Sequence, residues 1–440
     1  MSSVAILLVS IGAFVVAYVT YGSYLAKAWG VDPKRPTPAH ELEDGVDYVP
    51  ASKAVLMGHH FSSIAGAGPI NGPIQAAVFG WVPVLLWILI GGIFFGAVQD
   101  FGSLFASIRH KGKSLGEIIE VNISHRTKIC FTVFAWLVLI LVVAAFADIV
   151  AGTFAGFDAN GAEVEANGSV ATASMLFIPL AVAFGLFNRR FDHLVLNTIV
   201  GVALLIACIA IGMYCPIYFS KTAWLVVVFV YIFIASVAPV WILLQPRDYL
   251  NSFLLYFMIA AAVIGVVFTN PSMELEAFTS WNTSGGTLFP FLFVTVACGA
   301  ISGFHSLISS GTTSKQLNSE GDAKMIGYGS MLIECVLAVV ALIAVGSAGM
   351  DQWAGMNPPQ VFSAGISTML AKLGFPQGTA HTVLLLAISA FALTSLDTAT
   401  RLGRFLFQEL FATNKDGSKN VLSNMYVATA ITIGAAALLT

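Results

Sequence analysis

Long apolar runs alternate with short polar connections along nearly the whole chain. A helix that crosses a bilayer needs roughly 20 predominantly apolar residues, and most of these runs reach that length. The pattern predicts an all-α polytopic membrane protein with about 12 transmembrane helices, over residues 4–26, 52–78, 81–105, 127–151, 173–187, 193–213, 222–244, 250–269, 287–311, 325–348, 380–401 and 423 onward. The run at 173–187 is short, and we include it because the charge pattern requires a crossing there.

The composition indicates that lipid is the solvent of this chain. Hydrophobic residues occupy 58% of the 440 positions and charged residues 10%, and the mean hydropathy is +0.86. Soluble domains carry about 25% charged residues, so a chain this apolar cannot hide its surface in one globular core. No basic stretch has interleaved aromatic residues, which argues against a nucleic-acid partner. We therefore interpret residues 1–440 as a single transmembrane domain in contact with membrane lipid.

Basic residues are distributed unevenly between the two sides that these helices create. When the loops are assigned to alternate sides, one side holds all of the 20 lysines and arginines except Lys221 and Lys372. The positive-inside rule places the crowded side in the cytoplasm and the N-terminus outside.

The chain has an apolar run at each end, and we interpret the two runs differently. Residues 4–19 follow no positively charged segment and precede no small-residue cleavage site, so we expect residues 1–26 to form a retained extra helix rather than a signal peptide. The run at 423–440 reaches the last residue. It predicts the start of a further helix, and we expect the natural chain to continue beyond it.

The second predicted helix contains a dense interruption. Residues 66–73 hold two prolines and three glycines, which cannot form a regular membrane helix. Backbone groups released at membrane depth must line protein or a water-filled cavity. The half-helix that begins here points its free N–H groups at the bilayer centre, where they suit a carboxylate or phosphate. The predicted substrate-binding residues are Gly66, Ala67, Gly68 and Asn71.

A milder break in the seventh helix, at residues 236–240, adds Ser236 to this set. The two interrupted helices are five apart and run in opposite directions, which predicts an inverted five-plus-five repeat with halves at 52–213 and 222–401. Transporters of this type bind substrate near the midplane, between the repeats. A structural kink remains the alternative interpretation of the break in the seventh helix.

Ionisable and hydroxyl side chains within the apolar runs are functional candidates by default. Because histidine titrates near physiological pH, we expect a coupled proton, with sodium held by helix-2 carbonyls and hydroxyls as the alternative. Interhelical hydrogen bonding without a transport role is the competing interpretation. Asp100 and Asp148 lie near predicted helix ends, where interfacial solvation explains them. The predicted ion-coupling residues are His60, His305, Ser306, Ser309, Glu334 and Asp397.

No cofactor or metal site is predicted. Adjacent His59 and His60 point about 100° apart on a helix, so they make a poor metal pair. The five cysteines are scattered, form no CxxC pair and are interpreted as small buried hydrophobic residues.

Five stretches of the chain resemble the carbon starvation protein A (CstA) family, namely residues 59–73, 96–101, 301–306, 309–316 and 394–401. The first stretch is highly distinctive, and together they extend from helix 2 to helix 11. The resemblance implies uptake of peptides or pyruvate across the bacterial inner membrane during nutrient limitation. It also implies membership of the amino acid–polyamine–cation superfamily and a LeuT-like core.

The sequence therefore predicts a secondary active transporter for peptides or pyruvate, proton-coupled, in the bacterial inner membrane. The alternatives are a sodium-coupled amino-acid or peptide transporter, a channel, and a membrane-embedded sensor or enzyme. No nucleophile elbow, zinc motif or phosphate-cradling motif favours an enzyme. The sequence does not rank the substrates or set the oligomeric state.

Overall fold

The computed structural model describes residues 2–45, 47–158, 161–190, 194–239, 242–283, 285–353, 355–411 and 420–440. Within these ranges the secondary structure is helical except for one antiparallel ribbon of β1 (Asn282–Thr283) and β2 (Gly286–Thr287). The helices are α1 (Ser3–Val19), α2 (Tyr21–Ala28), α3 (Pro38–Glu41), α4 (Lys53–Ile64), α5 (Gly68–Ala76), α6 (Trp81–Gly91), α7 (Ala97–Arg109), α8 (Leu115–Asn122), α9 (His125–Phe154), α10 (Glu165–Arg190), α11 (Leu194–Tyr214), α12 (Lys221–Val237), α13 (Leu244–Thr269), α14 (Leu288–Thr295), α15 (Ala297–Ala300), α16 (Gly303–Gly311), α17 (Ser330–Gly346), α18 (Pro358–Ala371), α19 (Gln377–Leu410) and α20 (Met425–Ala437). π-Helical turns at Gly92–Gly96 and Lys324–Gly329 join α6 to α7 and lead into α17.

The helices are long and apolar enough for a multi-pass membrane protein. Eight helices in the described part of the chain could cross a membrane by length and composition, and α12 and α20 are shorter apolar helices. The segments α4–α5 and α14–α16 are interrupted and fall outside both groups. The prediction of a polytopic helical protein is confirmed, while the figure of twelve spans stays a prediction.

Several helices extend beyond their predicted bounds. The short run predicted at 173–187 belongs to α10, which has 26 residues. α13 begins at Leu244 instead of residue 250, and α19 continues to Leu410 instead of 401. The extensions carry polar residues that find buried partners in the fold. Hydropathy leaves such residues out of the predicted spans, because it scores each residue alone and contains no information about its partners.

α18 was not predicted. Its 14 residues are too few to span a bilayer, and its first residues are two prolines. A Cβ on Gly365 would contact Ala344 near the end of α17, and Met369 lies beside Gly265 near the end of α13. α18 therefore packs across the ends of two spans.

The interruption predicted at residues 66–73 is present. α4 ends at Ile64 and α5 begins at Gly68, with Ala65, Gly66 and Ala67 between them. Pro69 lies in the first turn of α5, where its missing N–H costs no helical hydrogen bond.

A second interruption lies in the ninth span, where no break was predicted, and the break predicted in the seventh span stays a prediction. The α15 helix ends at Ala300, and Ile301 and Ser302 adopt extended conformations before α16. In the seventh span, α12 simply ends at Val237, and the guanidinium of Arg401 donates to the carbonyls of Ala235 and Ala238. Arg401 therefore caps this helix end. Val240, part of the predicted break, lies outside the described residues.

The loops gather at two ends of the helix bundle. At the end that we call the basic end (loops 29–45, 47–52, 110–114 and 312–323), Arg109 pairs with Glu320 at 2.5 Å and Lys53 with Asp322 at 3.0 Å. At the opposite end, the amide of Glu274 donates to the carbonyl of Gly346 at 2.7 Å. The grouping follows the predicted alternation of the loops.

The centre of the bundle is formed by α17 and α19. The most apolar part of α17 is 89% buried within the protein and that of α19 is 72% buried, compared with 22% for α11. α11 therefore lies at the periphery and presents most of its apolar surface outward.

Candidate functional site

The two interrupted helices pack against each other at their breaks. A Cβ on Gly68 would lie 2.2 Å from the sulfur of Cys298, and one on Gly72 would lie 2.5 Å from the carbonyl oxygen of Thr295. The order of these contacts shows that α5 and α14–α15 run antiparallel. The glycines allow the two backbones to approach closely.

Next to this junction, three ionisable side chains from three helices form a cluster with no solvent exposure. Nδ1 of His305, on α16, lies 3.0 Å from Oδ2 of Asp100 on α7. Nε2 of the same ring lies 3.3 Å from Oε2 of Glu334 on α17, without hydrogen-bond geometry. We call Asp100, His305 and Glu334 the His305 cluster. It corrects the interpretation of Asp100, which is buried and paired instead of solvated at an interface.

The His305 cluster has more acid than base. With both carboxylates ionised and the imidazole protonated, its charge is −1, which is costly to bury without a partner. Neither oxygen of Glu334 receives a hydrogen bond from a described residue, and Oδ1 of Asp100 is also without one. The cluster therefore has capacity for one further proton or for a cation.

Cys298 adds a sulfur atom to this region. The donor atoms of Cys298, His305 and Glu334 lie within 4.8 Å of one another, close enough to hold a metal ion. A thiolate, an imidazole and a carboxylate form a donor set that suits zinc. The expectation that the chain holds no metal stays a prediction.

The other predicted coupling residues on α4 and α16 are His60, Ser306 and Ser309, and all three are buried. Nδ1 of His60 lies 2.8 Å from the hydroxyl of Thr313, and its Nε2 has no partner among the described residues. Ser306 donates to the carbonyl of Gly303 within α16. The buried hydroxyl of Ser309 has no hydrogen-bond partner in the described part of the chain.

The predicted substrate-binding residues separate into two places. Gly66 and Ala67 are buried at the first break, and a Cβ on Gly66 would meet Phe146 and Ser395. The side-chain oxygen of Asn71 is buried there without a partner among the described residues. Ser236 instead lies 3.3 Å from the hydroxyl of Thr429 on α20. A substrate contact at these residues stays a prediction.

Asp397 lies in a second buried network, apart from the His305 cluster. The guanidinium of Arg247 on α13 donates to Asp397 on α19 and, at 2.9 Å, to its own neighbour Asp248. Asp248 lies 2.9 Å from Nδ1 of His59 on α4, and Tyr231 of α12 donates to Asp397 at 2.6 Å. We call these five residues the Arg247 network. It joins the first interrupted helix to α12, α13 and α19.

The chain matches the profile described as "Carbon starvation protein CstA" over residues 2–361 and 351–440. The chain belongs to this family. The peptide transporter CstA of Bacillus subtilis is 35% identical over 93% of this chain and 75% of its own length. The pyruvate/proton symporter BtsT of Escherichia coli is 36% identical over 99% of this chain and 62% of its own.

A peptide transporter CstA of Helicobacter pylori is 40% identical over 79% of this chain, so this chain spans between half and three quarters of these CstA-family relatives. Among solved structures, a Na⁺-coupled sialic acid symporter in a substrate-bound outward-open state matches with a TM-score of 0.43 and 13% identity. That match covers 99% of this chain and 78% of the symporter.

Reasoning from the sequence missed most of the Arg247 network in this CstA-family chain. Arg247 and Asp248 fall between the predicted spans 222–244 and 250–269, because charged residues lower the local hydropathy. The adjacent opposite charges were the available signal, since two buried charges can compensate each other. His59 was considered only as a metal ligand, and Tyr231 lies in a run of apolar residues that gives no sign of a polar role.

Proposed function

We propose that this chain belongs to a secondary active transporter that imports peptides or pyruvate across the bacterial inner membrane, coupled to protons. The observation that carries the proposal is the His305 cluster, which is fully buried, short of positive charge and adjacent to two interrupted helices. The names of the relatives support the substrate class and, for BtsT, the proton.

The cluster suits proton coupling because its charge changes with one proton. Taking up a proton brings Asp100, His305 and Glu334 to neutrality, which favours a closed and dry site. Releasing it leaves a buried negative charge, which favours a conformation that admits water or a substrate. The proton would thus bias one conformation over another, as coupling requires.

Sodium is the alternative coupling ion. Ser309 presents a buried hydroxyl without a partner among the described residues, and hydroxyl and carbonyl oxygens suit a hard cation. The hydroxyls of Ser306 and Ser310 are already donated to backbone carbonyls of α16. Their oxygens keep lone pairs for a cation, so sodium held by Ser306, Ser309 or Ser310 stays an alternative.

The test is uptake by purified full-length protein in proteoliposomes, in sodium-free buffer with a chelator, driven by an imposed inward proton gradient. Labelled pyruvate, dialanine and alanine are compared. We expect concentrative uptake of pyruvate or dialanine. The variants His305→Ala and Glu334→Gln should lose gradient-driven uptake, because each removes a buried ionisable group that could carry the coupled proton, and should retain exchange of labelled for unlabelled substrate.

Retained exchange shows that a variant is folded and binds substrate. The matched control is His125→Ala, because His125 is exposed at the basic end and pairs with Glu120 at 2.6 Å. Uptake that requires sodium and survives both cluster variants would favour the sodium alternative. Uptake restored by zinc after chelation would assign Cys298, His305 and Glu334 to a metal.

We further propose an inverted repeat whose halves differ from those expected from the sequence. One half runs from α4 to α13 and the other from α14 to α20. Each half begins with an interrupted helix, followed by a span with a π-helical turn, a short helix (α8 or α18) and a long helix (α9 or α19). α9 and α19 pack against each other, as self-paired elements of a two-fold arrangement do. The α10–α11 pair is an insertion in this scheme.

A further inference from the structure

A cavity of about 400 Å³ opens at the basic end of the bundle. It lies between the loop that leads into α8, the end of α16 and the last turns of α19. Volumes of roughly 300–1,000 Å³ are typical of sites for small organic ligands. We call it the basic-end cavity, and the residues that matter here are Tyr48, Lys113, Ser310, Lys315, Phe405 and Glu409.

The inner wall of the cavity continues toward the His305 cluster. Ser310 lines the cavity and lies five residues beyond His305 on the same helical segment. Five residues correspond to about 7.5 Å along a helix axis. The cavity is therefore placed where a substrate would pass between the cluster and the basic end.

One cation in the cavity has no acidic partner. The ammonium of Lys315 lies 5.3 Å from the ring centres of both Tyr48 and Phe405, so two aromatic faces hold it in place. Among the described residues, no carboxylate lies within 4.0 Å of it. The other lysine of the cavity, Lys113, is paired with Glu117 at 3.7 Å.

One carboxylate in the cavity, that of Glu409, likewise has no ion pair with a described residue. Oε2 of Glu409 accepts a hydrogen bond from the hydroxyl of Ser114 at 3.0 Å. No lysine, arginine or histidine of the described residues pairs with Glu409, and it lies more than 4.0 Å from Lys315. Beside the paired Lys113 and Glu117, the cavity thus holds one lysine, Lys315, and one glutamate, Glu409, that form no ion pair within 4.0 Å with any described residue.

We infer that the basic-end cavity is a binding site for the zwitterion of a short peptide, with its carboxylate at Lys315 and its ammonium at Glu409. This assignment rests on the proposed transport function and adds a site and a preferred substrate class to it. A peptide satisfies both groups at once, and charge-assisted hydrogen bonds are the stronger kind. Pyruvate, which has no ammonium, uses Lys315 alone and leaves Glu409 without a partner.

The test measures exchange from the basic end in proteoliposomes of known orientation, with dialanine, N-acetyl-dialanine and pyruvate as substrates. Glu409→Gln should raise the half-saturating concentration of dialanine about tenfold, the size expected for a lost hydrogen bond to a charged group. It should not weaken pyruvate or N-acetyl-dialanine, because neither has an ammonium that Glu409 could bind. Lys315→Met should weaken all three substrates, because each has a carboxylate.

Glu120→Gln is the matched control, since Glu120 is a carboxylate of α8 that pairs with Lys128 and does not line the cavity. Thermal unfolding in detergent shows whether each variant is folded. If wild-type protein exchanges substrate but Glu409→Gln matches Glu120→Gln, or affects pyruvate equally, the inferred site is wrong and the proposed function stands. If wild-type protein exchanges pyruvate but not dialanine, the inferred peptide site is also wrong and the proposed function stands. If wild-type protein transports none of the substrates, the proposed function itself fails.

Discussion

At the scale of single residues, the Arg247 network brings buried charges of opposite sign together. Arg247 is 1% exposed and contacts two carboxylates, Asp397 and Asp248, and the second of these also pairs with His59. Arg247 thus supplies a positive charge to two carboxylates, and His59 is a further contact of Asp248. Separating any one of them leaves an uncompensated charge in a dry environment, so the network can be tested by removing charges singly and in pairs.

We expect Arg247→Met to destabilise the protein strongly, because it leaves Asp397 and Asp248 short of positive charge. Breaking a buried ion pair from one side costs about 3–5 kcal/mol. The double variant Arg247→Met with Asp397→Leu removes both members of one pair and retains the pair of Asp248 with His59. It should recover much of the lost thermal stability in detergent.

The control for this experiment is Lys53→Met, which removes a half-exposed cation that pairs with Asp322 at 3.0 Å. Exposed pairs contribute about 0–1 kcal/mol, so little change is expected. A double variant that unfolds as early as Arg247→Met would contradict the charge-balance explanation.

At the scale of helices, the interrupted segments fit together through small residues. Gly68 faces the side chain of Cys298, and Gly299 faces Ala338 and Pro69. Lipid tails are as apolar as the helix surfaces, so the hydrophobic effect hardly favours contact between helices in a bilayer. Close backbone packing therefore contributes a larger part of the free energy of helix association. The glycines of the first break therefore have a packing role, whether or not they also contact substrate.

We expect Gly68→Ala to lower the thermal stability, because its Cβ would lie 2.2 Å from Sγ and 2.3 Å from Cβ of Cys298. Overpacking of a tight contact costs about 1–3 kcal/mol. The double variant Gly68→Ala with Cys298→Gly should recover the stability, since the next nearest atom, Cα of Cys298, lies at 3.8 Å.

Gly12→Ala is the matched control, because a Cβ at this helical position has no neighbour within 4 Å. It should change stability little or raise it slightly. Failure of Cys298→Gly to rescue Gly68→Ala would show that the break is not held by this contact.

At the scale of the whole molecule, the separation of the loops into two ends is the feature that positions the chain in a membrane. Contacts join the basic loops to one another, as between Tyr48 and Lys111, where the phenol donates to the backbone carbonyl at 3.2 Å. Lys372, which follows α18, lies at the opposite end. With the basic end in the cytoplasm, the N-terminus lies outside, as we propose.

We expect a cysteine at position 113 to resist an impermeant thiol reagent applied to intact cells, and a cysteine at position 372 to react. Both lysines are exposed. The two cysteines are introduced into a variant in which the exposed Cys130 and Cys215 have been replaced. Permeabilised cells provide the control for accessibility. Labelling of position 113 from outside would reverse the proposed orientation.

The sequence by itself determined the class of the protein and the position of its first break. Spans follow from hydropathy, and the interruption at 66–73 follows from proline and glycine, because both are local properties of the chain. His305 and Glu334 could also be selected as candidates, since an ionisable residue within an apolar run is conspicuous wherever the chain folds.

Only the tertiary structure decided which groups act together. Asp100 meets His305 across 205 positions of sequence, and Arg247 meets Asp397 across 150. The break at Ile301 gave no signal of its own, because Ile301 and Ser302 are compatible with a helix and only their surroundings make them extended. Partners far apart in sequence are selected by the burial of charge and by backbone packing, and both depend on where distant helices meet.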